Sequence, residues 1–345
     1  RNKEKEDQTP MCGVPFHSCE GYIARLVSRG YRVAICEQME DPATAKGLVK
    51  RGITRIVTPG TVTESSMLDE SRNNYFACVF VEAGQIALSF CDISTGDFYA
   101  TEVTSVDQAV SELGRFAPAE ALLSPEAIPL FAPVLREKLR CCVDEGIPEM
   151  FDPELTLRAV EQQFDRPVKY LGLEEHPTAC RCVGGLLQIL RDTHKITLFH
   201  IRGLEFYISG NFLALDLAAR RNLELTETLG GEKKGSLLWV LNKTRTAMGS
   251  RMLRSWLEKP LLSPKKIGRR LSAVQELTRT AILRQEVIEL LGGISDFERV
   301  LARVVTGSAN ARDLLSMESG CRPLTELRAA TGRFNGSLFT VLQEE

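Results

Sequence analysis

Apolar and polar positions follow three different rhythms along the chain. From Ser18 the rhythm is helical. Tyr22, Ile23, Leu26 and Val27 share one face, Ser18 is a predicted N-cap, Glu20 complements the dipole in the first turn, and Gly30 supplies a stop. Residues 32–36 are short, β-branched and strand-like, and a glycine-proline loop over residues 11–15 lies ahead of the helix. Residues 55–60 close this βα piece. Fewer than sixty residues is little for an independent core, so the piece is expected to be completed by chain on its N-terminal side.

From residue 75 the rhythm shortens. Strands are predicted at 75–81, 86–91 and 97–103, joined by turns at Glu82-Ala-Gly84 and Ser94-Thr-Gly96. Helices near 106–115 and 128–139 then alternate with short strands at 121–123 and 141–143, the outline of a mixed α/β layer domain. A helix over 178–193 carries Val183, Leu186, Leu187 and Leu190 at the i, i+3, i+4, i+7 spacing. Beyond 204–208 the pattern is helical. Met248, Met252, Leu253, Trp256 and Leu257 share a face that Pro260 ends. Ser263-Pro264 opens a helix on Ile267, Leu271, Val274 and Leu277. Ser295-Asp-Phe-Glu298 reads as a capping box before Val300, Leu301, Val304 and Val305, with Gly307 as the stop. Such consecutive amphipathic helices predict an all-α layer.

Composition narrows the class. With 345 residues, 43% of them apolar and 26% charged, the chain is an ordinary globular one of two to three domains, not a disordered, collagen-like or coiled-coil protein. The longest apolar run, 76–81, falls far short of the ~20 residues a bilayer span needs, and residues 1–10 do not resemble a signal peptide. A soluble, cytoplasmic protein without membrane contact is expected. The ten cysteines, several inside apolar runs (Cys36, Cys78, Cys91), match no disulfide scaffold. Their closest pairs, Cys141-Cys142 and Cys180-x-Cys182, are not C-x-x-C, and none of the four histidines (His17, His176, His194, His200) lies in H-E-x-x-H. Reduced thiols and no metal site are expected.

Charge changes the picture more. Net charge is +3 over residues 1–59, −10 over 60–203 and +5 over 204–345. A middle segment this acidic should be repelled by a phosphate backbone, whereas the flanking segments could lie along one. At least two jobs are expected in one chain.

Candidate chemistry is sparse. Gly230-Gly-Glu-Lys-Lys-Gly235-Ser236 places its lysines before the second glycine and has no strand ahead of it, so it reads as a turn rather than a phosphate-binding loop. Metal-dependent nuclease chemistry needs converging carboxylates around paired metals. Asp92, Asp97, Asp144 and Glu145 are the candidates, and one aspartate at a strand end is no cluster. Arg220-Arg221, Lys233-Lys234, Arg251/Arg254 and Lys265-Lys266/Arg269-Arg270 could grip phosphates. Interleaved Glu224, Glu227 and Glu258 favour a solvated helical face instead. The 11–17 loop combines glycine, proline, an apolar Met11 and an aromatic Phe16 beside a basic helix. Those are features of minor-groove contact, or equally of a core-edge loop.

Longer strings carry a resemblance. Met-Cys-Gly-Val-Pro-Phe-His at 11–17, Val-Ala-Ile-Cys-Glu-Gln at 33–38, Asp-Pro-Ala-Thr-Ala-Lys-Gly at 41–47 and Arg-Ile-Val-Thr-Pro-Gly-Thr at 55–61 resemble the mismatch-recognition domain of bacterial MutS proteins. Ala-Arg-Arg-Asn-Leu-Glu-Leu-Thr-Glu at 219–227, Lys-Gly-Ser-Leu-Leu at 234–238, Met-Gly-Ser-Arg-Met-Leu-Arg-Ser-Trp-Leu at 248–257 and Ala-Asn-Ala-Arg-Asp-Leu-Leu at 309–315 resemble the family's core domain.

The resemblance covers essentially the whole chain and implies a multidomain α/β plus all-α protein. Residues 1–59 would be the C-terminal part of the mismatch-recognition domain, 60–203 a ribonuclease H-like α/β connector, and 204–345 the start of the helical core/lever domain. It implies a mismatched-DNA sensor of DNA mismatch repair that couples recognition to ATP-dependent clamp formation and to MutL recruitment through the connector, as a homodimer in the full-length protein. Met11, Gly13, Pro15 and His17 would lie near DNA. The family's Phe-x-Glu wedge would lie upstream of Arg1 and its P-loop ATPase, with ATP and Mg, downstream of Glu345. No catalytic residue and no cofactor is therefore expected within this chain. A MutS-like paralogue binding branched or recombining DNA, and a metal-dependent nuclease, are the alternatives.

Overall fold

The computed structural model describes residues 14–15, 18–41, 49–194, 198–208, 210 and 212–344. The chain divides into two compact units, Arg1–Pro59 and Gly60–Glu345. In the first, helix α1 (Cys19–Val27) precedes an antiparallel pair of strands, β1 (Val33–Gln38) and β2 (Arg51–Val57), whose register slips between Ile35 and Cys36. Ser18 occupies the N-cap position but does not cap α1. Its hydroxyl donates backwards to the Pro15 carbonyl at 3.0 Å, because its backbone is helical rather than extended and aims the side chain away from the first turn.

The second unit is built on one six-stranded sheet. Strands β3 (Phe76–Glu82), β4 (Gln85–Asp92) and β5 (Asp97–Val103) form the expected antiparallel meander. Ala83 and Gly84, both at positive φ, make the left-handed two-residue turn that matches strand twist between β3 and β4. After α2 (Val106–Phe116), strand β6 (Glu120–Leu123) pairs parallel to β3. After α3 (Ile128–Glu137), β7 (Cys142–Glu145) pairs parallel to β6. Helices α4 (Pro153–Phe164) and α5 (Pro177–His194) precede a two-residue strand β8 (Glu205–Phe206), which pairs parallel to β5. The strand order is β7-β6-β3-β4-β5-β8.

Both faces of this sheet are covered, so the central strands are buried on both sides rather than alternating. One apolar layer packs Cys78, Phe80, Ala87 and Cys91 against Phe151, Val160 and the Val183, Leu186, Leu187, Leu190 stripe of α5. The other packs Val79, Leu88 and Phe90 against Leu113 and Phe116 of α2 and Phe131 and Leu135 of α3. Helix α4 was not foreseen from the pattern, although its start is written in the sequence. Asp152 accepts from the amides of Glu154 and Leu155, and Pro153 sits in the first turn.

The rest is helical: α6 (Leu217–Asn222), α7 (Leu237–Leu241), α8 (Ala247–Glu258), α9 (Pro264–Arg279), α10 (Ala281–Leu291), α11 (Phe297–Val305), α12 (Ala311–Cys321), α13 (Leu324–Thr331) and α14 (Ser337–Glu344). Ser263 caps α9 as expected. The expected Ser295 box is corrected: Asp296 is the cap of α11, accepting from the Arg299 amide. The apolar stripes are corrected too. On α8 the buried residues are Ser250, Arg251 and Arg254, while Met252 (60% exposed) and Trp256 (39%) face outward. On α11 Arg299 and Arg303 are buried beside Val300, with Leu301, Val304 and Val305 exposed. On α9 only Leu277 of the expected stripe joins the small core of Ala273, Leu283, Ala330, Phe334 and Phe339. Among the described residues no helix is long and apolar enough to cross a membrane.

Candidate functional site

Of the four residues expected near DNA, Met11, Gly13 and His17 lie outside the described residues. Pro15 is exposed, and its carbonyl accepts from both the amide and the hydroxyl of Ser18, each at 3.0 Å, which ties the loop to the start of α1. Helix α1 presents Tyr22 and Leu26 to solvent, with the Arg25 guanidinium 5.4 Å from the Tyr22 ring.

The four carboxylates weighed for metal chemistry do not converge. Asp92 is fully buried. Its Oδ1 accepts from the Ser94 amide (2.8 Å) and hydroxyl (2.7 Å), and its Oδ2 from the Asn73 side chain (2.9 Å) and the Asn74 amide (3.0 Å). Asp97 accepts from Asn73 (3.0 Å) and Thr95 (2.9 Å), and burial together with neighbouring Asp92 pushes its carboxyl pKa up. Asp144 and Glu145 stand on β7, separated from β4 by β6 and β3. Among the described residues no three His, Cys, Asp or Glu side chains are placed to hold a metal. The described cysteines are free thiols, and burial raises Cys78, Cys91 and Cys141.

Polar groups do converge where the sheet meets the helical segment. The loop 69–73 is gripped by buried guanidinium groups that donate to its carbonyls, of which Asp69 also accepts from the Arg72 amide at 3.2 Å. Arg299 donates to the carbonyls of Asp69 (2.9 Å) and Arg72 (2.6 Å), and Arg251 to that of Glu70 (3.1 Å). Arg251, 4% exposed, also makes a bidentate pair with Asp296 (2.7 and 2.8 Å) and reaches Glu298 at 2.6 Å. Against burial, these two acids raise the Arg251 pKa, while burial and nearby Arg251 lower that of Arg299. Lys233 pairs with Asp69. Burial opposes the charge there, but bonds from Lys233 and Ser71 bring the Asp69 carboxyl down to about 2. Asn73 ends this loop and holds Asp92 and Asp97 at the β4–β5 turn, so loop 69–73 ties α8 and α11 to the sheet.

A second contact lies beside it. Lys259, just past α8, sits 4.4 Å from the Tyr99 ring centroid and 4.7 Å from that of Phe116, and burial pulls its amine down to about 8. Arg115 lies 4.7 Å from the rings of both Phe116 and Tyr207 and pairs with Glu112, which the Tyr207 hydroxyl also reaches at 2.6 Å. Helix α2 lets α6 approach closely at Gly114, where a Cβ would stand 2.0 Å from a Leu217 methyl. The basic groups considered for phosphate gripping are thus partly accounted for: Arg251 and Arg254 are buried in ion pairs, Lys233 pairs with Asp69, and Arg270 stacks 3.6 Å from the Trp256 ring. Pattern reading passed over loop 69–73, Arg299 and Arg303. Arginines four apart on α11, with an acid at its cap, were the available signal.

Family models for MutS domain I, MutS domain II and MutS domain III match residues 1–66, 74–202 and 218–343, in that order. The chain belongs to the MutS family. It is 41% identical over 335 residues to the DNA mismatch repair protein MutS of Ruminiclostridium cellulolyticum, covering 95% of this chain and 38% of the relative. It is 42% identical over 320 residues to that of Acetivibrio thermocellus, covering 91% and 36%. With the MutS of Symbiobacterium thermophilum it shares 41% over 331 residues, covering 94% and 38%. The chain therefore spans less than two-fifths of the length of these MutS relatives. The joint at loop 69–73 lies where the domain I match ends and that of domain II begins, and its arginines come from the domain III match.

Proposed function

We propose that the chain is the sensing and relaying part of a mismatch-repair protein, in which contact with mismatched duplex at residues 1–59 is passed through the α/β layer and the helical segment. The observation that carries this reading is the ordered match to MutS domains I, II and III, in relatives named DNA mismatch repair proteins. A mismatch weakens stacking locally and lowers the cost of bending, so such a sensor reads deformability more than base edges. Met11, Gly13, Pro15 and His17 are the residues proposed near DNA. The Pro15 carbonyl bonded to Ser18 supports a loop held close to α1. The meander β3-β4-β5 followed by parallel β6 and β7 supports a ribonuclease H-like connector, which here would relay rather than cleave. The guanidinium joint supports transmission between that connector and the core helices. ATP and Mg would act on an ATPase domain outside this chain. Clamp conversion, a homodimer and MutL recruitment through the connector belong to the same proposal.

Fluorescence anisotropy with a G·T heteroduplex and its matched homoduplex tests it. The protein carrying residues upstream of Arg1 should prefer the heteroduplex, and Met11→Ala with His17→Ala should weaken both complexes. Preferential binding of a four-way junction would favour the branched-DNA paralogue instead. Mg-dependent cleavage abolished by Asp92→Asn would favour the nuclease.

A further inference from the structure

Next to the joint, a cleft of about 770 Å³ opens between the α/β layer and the first helices that follow it. Arg72, Lys138 and Arg140 line one wall, and Arg220 and Arg221 the other. Arg254 and Glu258 also line it and satisfy each other at 3.0 Å. Arg72 donates to the Ala117 carbonyl (3.2 Å), and Arg220 to the carbonyls of Leu215 (3.0 Å) and Glu258 (2.9 Å). Among the described residues none of these five cations has a carboxylate within 4.0 Å. Glu137 and Glu227 are the remaining acids of the lining, which leaves a positive excess where the acidic 60–203 segment meets the basic 204–345 segment. Burial lowers the pKa of Arg72 and Arg220 even though Glu258 acts on both and Glu227 on Arg72 in the opposite sense, so a further anion would relieve both.

We propose that this cleft binds a small phosphate-bearing anion of the di- or triphosphate class, held by Arg72, Arg140, Arg220 and Arg221 from opposite walls. Guanidinium forks suit phosphate oxygens. The volume falls in the range of small-ligand sites. The lining holds no aromatic ring on which a base could stack, so the phosphates and not a nucleoside carry recognition. A long polyanion would run over the acidic 60–203 segment (net −10) on one side of the cleft, whereas a compact anion stays among the basic residues of the lining. A ligand touching both walls would also stabilise the pairing of the α/β layer with the helices.

Isothermal titration of inorganic pyrophosphate and of tripolyphosphate into the 345-residue chain tests this. One-to-one saturable binding that weakens with salt is expected, with a rise in Tm. Arg140→Gln combined with Arg221→Gln alters two exposed side chains and should leave the far-UV circular dichroism unchanged while lowering affinity at least about tenfold. Lys265→Gln with Lys266→Gln on exposed α9 should leave affinity unchanged. Absence of saturable binding would overturn the proposal, as would indifference to the Arg140/Arg221 pair or equal binding of a hexaglutamate peptide.

Discussion

The α/β layer and the helical segment solve the burial problem in opposite ways. In the layer, Phe76, Phe90, Phe131, Phe151 and Leu186 are wholly enclosed, because a sheet covered on both faces offers every apolar side chain a partner. In the helices, α8 and α11 turn Arg251, Arg254, Arg299 and Arg303 inward and leave Met252, Trp256, Leu301 and Val304 outside. An amphipathic stripe states which face is apolar, while the neighbouring element decides which face is buried. Here the neighbour of Arg251 and Arg299 is the loop 69–73, whose Asp69, Glu70 and Arg72 carbonyls accept from them, while Arg254 and Arg303 turn inward to Glu258 and Asp313.

The largest effect is expected from Arg251→Ala, which strands Asp296, Glu298 and the Glu70 carbonyl and should cost about 3–5 kcal/mol in urea unfolding. Leu186→Ala, its counterpart in the apolar core, should cost about 2–5 kcal/mol and speed hydrogen exchange in β3 and β4 first. Lys259 should give a smaller, pH-dependent effect. Its amine is held down near 8 in the folded chain against 10.5 when unfolded. Between those values the unfolded chain binds more protons, so stability should rise with pH through that window, and Lys259→Met should remove the slope. The smallest effect is expected from Trp256→Gln. The ring is partly exposed against Arg270, and its loss should change thermal stability by less than about 1 kcal/mol.

The layer was largely legible in the sequence. The turns at 82–84 and 94–96 and the α5 stripe announce themselves through glycine placement and periodicity, and the sheet obeys them. Helix α4 escaped because its first two turns carry Leu155 and Leu157 outward (51% and 38% exposed) and blur the stripe, although Asp152-Pro153 marks its start. The joint was not legible. Arg299 and the loop it grips are more than two hundred residues apart in sequence, and no local pattern encodes such a pairing. Of the residues proposed at DNA only Pro15 is described, and it shows local loop bonding alone. Arg251 and Arg254, expected on a solvated helical face, are instead buried. Basic pairs look alike whether they face phosphate or a buried carboxylate: Glu258, one turn along α8, meets Arg254 locally, and only the fold brings Asp296 to Arg251.

The central claim is that buried arginines make the α/β layer and the helical segment one cooperative body. Both tryptophans of the chain, Trp239 and Trp256, lie in the helical segment, so urea unfolding followed by their fluorescence reports that part alone. Hydrogen exchange at β3–β5 amides in the same urea series reports the layer. The two transitions should coincide in the unaltered chain and separate in Arg251→Ala/Arg299→Ala, with the fluorescence change moving to lower urea. Transitions already separate in the unaltered chain, or still coincident in the double variant, would contradict the claim.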